Sequence, residues 1–161
     1  MPCALCNKTV ARGTRFASGP HMLPERKGRV LVVDDEPAIR ALVAKIVERA
    51  GFGVDVAADG AEAIDKVNKT DYAVIVLDLM MPAVSGYEFV DFLEQRGGKR
   101  PSVIVITAAA EASLTRQLDP KVVHSIVRKP FDINVLADLV AAAATTAETS
   151  ADDTNVVHFR R

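Results

Sequence analysis

The chain has 161 residues, with 20 Lys plus Arg against 21 Asp plus Glu and a formal net charge of −1. That length suits one domain of ordinary size around a single core, and the charge balance excludes a global basic field able to hold nucleic acid or an anionic membrane. No apolar run reaches the roughly 18 to 20 residues of a membrane-spanning helix, and both cysteines, Cys3 and Cys6, precede residue 7, so the core carries no disulfide framework and suits a reducing, cytoplasmic compartment.

Residues 1–28 mix Arg, Lys, Gly and Pro without helical or strand period, which predicts a flexible leader. Its piece SGPHM, Ser18 to Met22, has the character of a protease-site remnant. Cys3 and Cys6 make half of a structural zinc motif; His21 offers at most a third ligand where four are needed, so a metal-free leader is expected. From Arg29 the pattern is regular. RVLVVDD reads as a strand, and EPAIRALVAKIVERAG places Ile39, Leu42, Val43, Ile46, Val47 and Ala50 at helical spacing, with Pro37 in the first turn and Gly51 as the stop. The alternation repeats with VDVAA as strand, GAEAIDKVNK as helix, YAVIVLD as strand and SGYEFVDFLEQRG as helix, the last opened by a capping box of Ser85 and Glu88. PSVIVIT follows as a strand, then a weaker helix around Glu111 to Leu118, VVHSIV as a strand, and a final helix from Asp132 through about Ala144.

Strands apolar on both faces that alternate with helices call for a parallel sheet covered on each side, since every crossover helix must pack back onto it. The expected fold is therefore α/β, a doubly wound five-stranded parallel sheet, spanning residues 29–144, with a disordered tail over 145–161. Such sheets bind ligands beyond the carboxyl ends of their strands, where the winding reverses.

Chemically active residues fall at those ends: Asp34 and Asp35 after the first strand, Asp78 after the third, Thr107 after the fourth and Lys129 after the fifth. Three facing carboxylates repel, and the repulsion must be relieved by protonation or by a cation. Oxygen-only ligation suits Mg2+, which takes one or two carboxylates and leaves room for phosphate oxygens. Asp78 is then a candidate nucleophile, because aspartyl phosphate is a known covalent intermediate. Lys129 can neutralise a phosphoryl oxygen and the Thr107 hydroxyl can donate to another. Singly, each residue except Asp78 has a plainer reading as helix-start charge, cap or solvated surface group; the ordered set is what points to phosphoryl transfer.

The stretches VLVVDDE, VLDLMMPAVSG, VIVITA and VRKPF resemble the receiver domain of two-component response regulators, which has the flavodoxin-like (βα)5 fold. The resemblance implies that Asp78 accepts a phosphoryl group from a sensor histidine kinase or a histidine phosphotransfer protein. It implies that Asp35 binds Mg2+ directly, that Asp34 assists through water, and that the Met80 backbone carbonyl supplies a further ligand. Thr107 and Lys129 would contact the phosphoryl group, the Lys129–Pro130 bond would be cis, and Pro82 and Gly86 would shape the loop after Asp78. With only a short tail after the last helix, a single-domain regulator is expected. It would catalyse only its own phosphorylation and dephosphorylation, and would be a monomer or a phosphorylation-dependent dimer. Its signal would pass to a downstream protein target, not to nucleic acid or membrane, through the surface of the Glu111–Leu118 helix, the last strand and the last helix.

Two departures from the family stand out. Ile126 occupies the place, three residues before the lysine, where receivers often carry an aromatic switch residue, which puts ring-burial coupling in doubt. Met80 and Ala109 stand where polar side chains can orient an attacking water, which predicts slow self-dephosphorylation. Rival readings are a phosphorelay intermediate, a receiver used as an unphosphorylated scaffold, and a haloacid-dehalogenase-type phosphohydrolase. The last needs an acid two residues after its nucleophile, where this chain has Met80.

Overall fold

A computed structural model describes residues 27–108 and 118–149. Its elements are β1 (Arg29–Val33), α1 (Pro37–Arg49), β2 (Gly53–Ala57), α2 (Gly60–Lys69), β3 (Val74–Asp78), α3 (Gly86–Gln95), β4 (Ser102–Thr107), β5 (Val123–Arg128) and α4 (Ile133–Thr149). The five strands form one parallel sheet in the order β2-β1-β3-β4-β5. This is the doubly wound, flavodoxin-like architecture, with the winding reversed between β1 and β3.

The two sheet faces bury separate cores, which is why the strands lack polar alternation. On one face Val30, Val32, Val74, Val76, Ile104 and Ile106 meet Val43, Ile46 and Val47 of α1 and Leu136, Val140 and Ala143 of α4. On the other, Leu31, Ile75, Leu77, Val103 and Val105 meet Ala63 and Val67 of α2 and Phe89, Val90 and Leu93 of α3. All five residues of β3 are buried, so the central strand is a rigid rod ending in Asp78.

Local chemistry sets the element ends. Gly51 closes α1 at φ +95°, a backbone region that L side chains rarely adopt. Asp59 caps α2 by accepting from the Glu62 N–H at 2.8 Å. The Ser85–Glu88 capping box is present: the Ser85 hydroxyl accepts from the Glu88 N–H, and the Glu88 carboxylate accepts from the Ser85 N–H at 2.8 Å.

Three expectations change. Leu42, grouped by its helical spacing with the other apolar residues of α1, is 40% exposed, because the sheet takes only the narrower row of Val43, Ile46 and Val47. α4 runs to Thr149, beyond Ala144, so residues 145–149 belong to the helix and not to a disordered tail. Buried Ala147 extends the apolar stripe, while the hydroxyls of Thr145 and Thr146 donate to the carbonyls of Ala141 and Ala142. Lys27 and Gly28, placed in the leader, are tied to the fold by bonds from the Lys27 N–H to the Gly51 carbonyl and from the Gly53 N–H to the Gly28 carbonyl. The helix expected around Glu111 to Leu118 lies outside the described residues except for Leu118, as do Ala109, the cysteines, His21 and the tail from residue 150.

Candidate phosphoacceptor site

The register of the central strands builds the site. β1 and β3 pair with Val30 opposite Val74 and Val32 opposite Val76. Side chains alternate along a strand, so two residues further on Asp34 and Asp78 leave the sheet side by side on the same face. Both are buried, at 4% and 6% exposure. Asp35 is exposed at the rim. One carboxylate oxygen from each of Asp34, Asp35 and Asp78 lies within 4.8 Å of the others.

Lys129 enters from the β5–α4 loop. Its ammonium donates to Asp78 Oδ2 at 2.7 Å and to Asp34 Oδ2 at 3.0 Å. Burial by itself would lower the Lys129 pKa; the hydrogen bonds to Asp78 and Asp34 and their negative charges outweigh it and hold the group above its ordinary value. The loop is placed by the Lys129 N–H, which donates to the Thr107 carbonyl at 2.9 Å, and the Lys129–Pro130 bond is cis. Thr107 is fully buried at the end of β4, one residue past the partner of Asp78.

The remaining oxygens are held by backbone. Asp34 Oδ1 accepts from the Glu36 N–H at 2.8 Å, and Asp78 Oδ1 accepts from the Met80 N–H at 2.9 Å. The second bond draws the Met80 backbone to Asp78 while the Met80 side chain stays 63% exposed. Gly86 sits against the same turn: a Cβ there would lie 2.5 Å from the Asp78 carbonyl oxygen and 2.6 Å from Leu79 Cα, so the turn packs this closely only against glycine. Ile126 is half-buried against the core on the α2–α3 face, the face toward which Val103, Val105 and, by alternation, Thr107 point. The structure thus brings together Asp34, Asp35, Asp78, the Met80 backbone and Lys129, while Thr107 ends the next strand one residue past the partner of Asp78.

The donor set fits a hard divalent cation: all oxygen, three carboxylates within reach of one ion, and a rim position at Asp35 open to water. Sequence reading missed Arg40, whose guanidinium reaches back from α1 to donate to the Asp34 carbonyl at 2.6 Å.

The comparisons agree with this geometry. The model of the response regulator receiver domain matches residues 30–141. The chain belongs to that family. It is 33% identical over 108 residues to the transcriptional regulatory protein TcrA of Mycobacterium tuberculosis, covering 67% of this chain and 42% of that protein. It is 36% identical over 103 residues to the transcriptional regulatory protein ResD of Bacillus subtilis, covering 64% and 42%. The chain thus spans under half the length of these two curated relatives. Among solved structures, the chemotaxis response regulator CheY4 of Vibrio cholerae matches with a TM-score of 0.65 and 29% identity, over 71% of this chain and 97% of that one. The response regulator TrrA of Thermotoga maritima, solved in complex with Mg2+-BeF, matches with a TM-score of 0.62 and 31% identity, over 71% and 97%.

Proposed function

We propose that this receiver takes a phosphoryl group on Asp78 from a phosphorylated histidine of a sensor kinase or a histidine phosphotransfer protein, in the cytoplasm, and signals through a protein surface that responds to the change. The observation that carries this reading is the placement of Asp78. It is an almost fully buried carboxylate at the end of the central strand, 2.7 Å from the Lys129 ammonium and grouped with two further carboxylates.

In the transfer a carboxylate oxygen of Asp78 attacks phosphorus, the P–O bond forms, and the P–N bond breaks with its electron pair returning to the imidazole. Asp34, Asp35, Asp78 and the Met80 carbonyl would hold Mg2+, whose charge when bound offsets that of the phosphoryl oxygens. The Met80 N–H and the Lys129 ammonium orient the acceptor before attack. As charge passes from the carboxylate to the phosphoryl oxygens, Lys129 is placed to follow it, and the Thr107 hydroxyl is the donor on the adjoining strand. Outside this self-modification no enzymatic turnover is assigned to the chain. The output is a protein contact, since the net charge of −1 supplies no general field for nucleic acid.

The test is incubation with acetyl phosphate and Mg2+ followed by intact mass. Wild type gains one phosphoryl unit and Asp78→Ala gains none. A wild type that stays unmodified with every phosphodonor, a cognate kinase included, refutes the reading, and catalytic turnover of a small phosphomonoester would replace it with a phosphohydrolase.

A further inference from the structure

We infer that Arg40 is a positioning residue that straps the β1–α1 loop in the shape that presents Asp34 and Asp35 to the metal. The inference rests on the reading of the site as a Mg2+-dependent phosphoacceptor. Arg40 is the fourth residue of α1, and helical side chains lean toward the N-terminus, so its side chain returns over the loop that precedes the helix. There Nη1 donates to the carbonyl oxygen of Asp34 at 2.6 Å and lies 3.4 Å from that of Asp35. Both carbonyls belong to the residues whose carboxylates form the acidic cluster.

The loop needs such a tie. α1 begins after Glu36, which makes no side-chain capping bond, and Pro37 brings no N–H. The other bonds on the loop hold Asp34 and Glu36: the Asp34 N–H donates to the Ala57 carbonyl at 3.3 Å, Asp34 accepts from the Glu36 N–H at 2.8 Å and from the Lys129 ammonium at 3.0 Å, and the Glu36 carbonyl accepts from the Arg40 N–H at 3.0 Å. The Arg40 side chain also reaches the backbone of Asp35, the exposed and therefore least constrained of the three carboxylates.

The charge and the strap act on metal binding with opposite sign, which makes the role testable. A guanidinium near an acidic cluster repels a divalent cation, so its removal by itself tightens Mg2+ binding. Loss of the strap frees the ligand loop and weakens it; groups that orient metal ligands are worth about tenfold or more in affinity. Mg2+ binding is measured by calorimetry on unphosphorylated full-length protein, wild type, Arg40→Ala and Arg40→Lys, alongside hydrogen exchange of the Glu36 amide in EDTA. The strap predicts weakening of about tenfold in Arg40→Ala, partial recovery in Arg40→Lys, and faster Glu36 exchange in metal-free Arg40→Ala. Equal or tighter Mg2+ binding by Arg40→Ala beside a wild type that binds overturns the strap while leaving the reading of the site intact. A wild type that binds no Mg2+ overturns both.

Discussion

Replacing Lys129 with Met keeps the length and apolar stem of the side chain and removes its ammonium. Asp34 and Asp78, with side chains only 5% and 7% exposed, then face each other without the cation that both touch through Oδ2. Breaking a buried pair by deleting one partner costs about 3–5 kcal/mol, because the remaining charge stays desolvated. The Lys129 side chain keeps 19% exposure, so water restores part of that, and the expected loss in metal-free protein is about 2–4 kcal/mol. The assay is urea unfolding at pH 7 in EDTA, then in Mg2+. The variant's cluster lacks its internal counter-charge and so binds Mg2+ more tightly than wild type; ion at ten times its Kd adds about 1.4 kcal/mol, and the deficit shrinks. Lys129→Met within about 0.5 kcal/mol of wild type in EDTA would refute the argument. Its pH dependence follows from linkage. The folded pKa of Lys129 lies above the ordinary 10.5, so its stabilisation is fully present below that value and is lost as pH rises through the folded pKa. The stability difference between the proteins is therefore level from pH 7 to about pH 9 and narrows only in strong alkali.

Gly86→Ala forces the Asp78–Leu79 backbone aside, since its Cβ meets backbone atoms at 2.5 and 2.6 Å, and destabilises by about 1–3 kcal/mol net of its better helix propensity; Gly97→Ala, with nothing within 4 Å, is the neutral control in the same urea series. Ala83 holds φ +66° in the β3–α3 loop, so Ala83→Gly relieves strain, and its denaturation midpoint is expected to stay level or rise by an equivalent of up to about 1 kcal/mol. Met80 presents an exposed apolar side chain beside the acceptor, so Met80→Asn, which can orient an attacking water, shortens the phosphoryl half-life; a half-life unchanged or longer by intact-mass decay counts against slow self-dephosphorylation.

Features set within a few residues were legible in the chain. α2 occupies the segment read from its apolar spacing, and the Ser85–Glu88 box opens α3 as its residue types imply. Asp34 and Asp78 could be placed at strand ends because both faces of β1 and β3 are apolar up to those residues. What was not legible depends on how elements lie against one another. The contacts of Lys129 with Asp78 and Asp34 span 51 and 95 residues, and only the strand order turns those separations into adjacency. Leu42 has the period of a core residue, yet its burial is decided by the width of sheet beneath α1. Arg40 lies between these cases. Glu36 makes no side-chain cap at the start of α1, so capping chemistry does not fix the loop that precedes the helix. The first long cationic side chain one turn into the helix points back toward them. The uncapped loop before α1 and the donor that reaches its carbonyls therefore both lie within a few residues of sequence. They become one device only because the same carbonyls belong to the two acids grouped with Asp78.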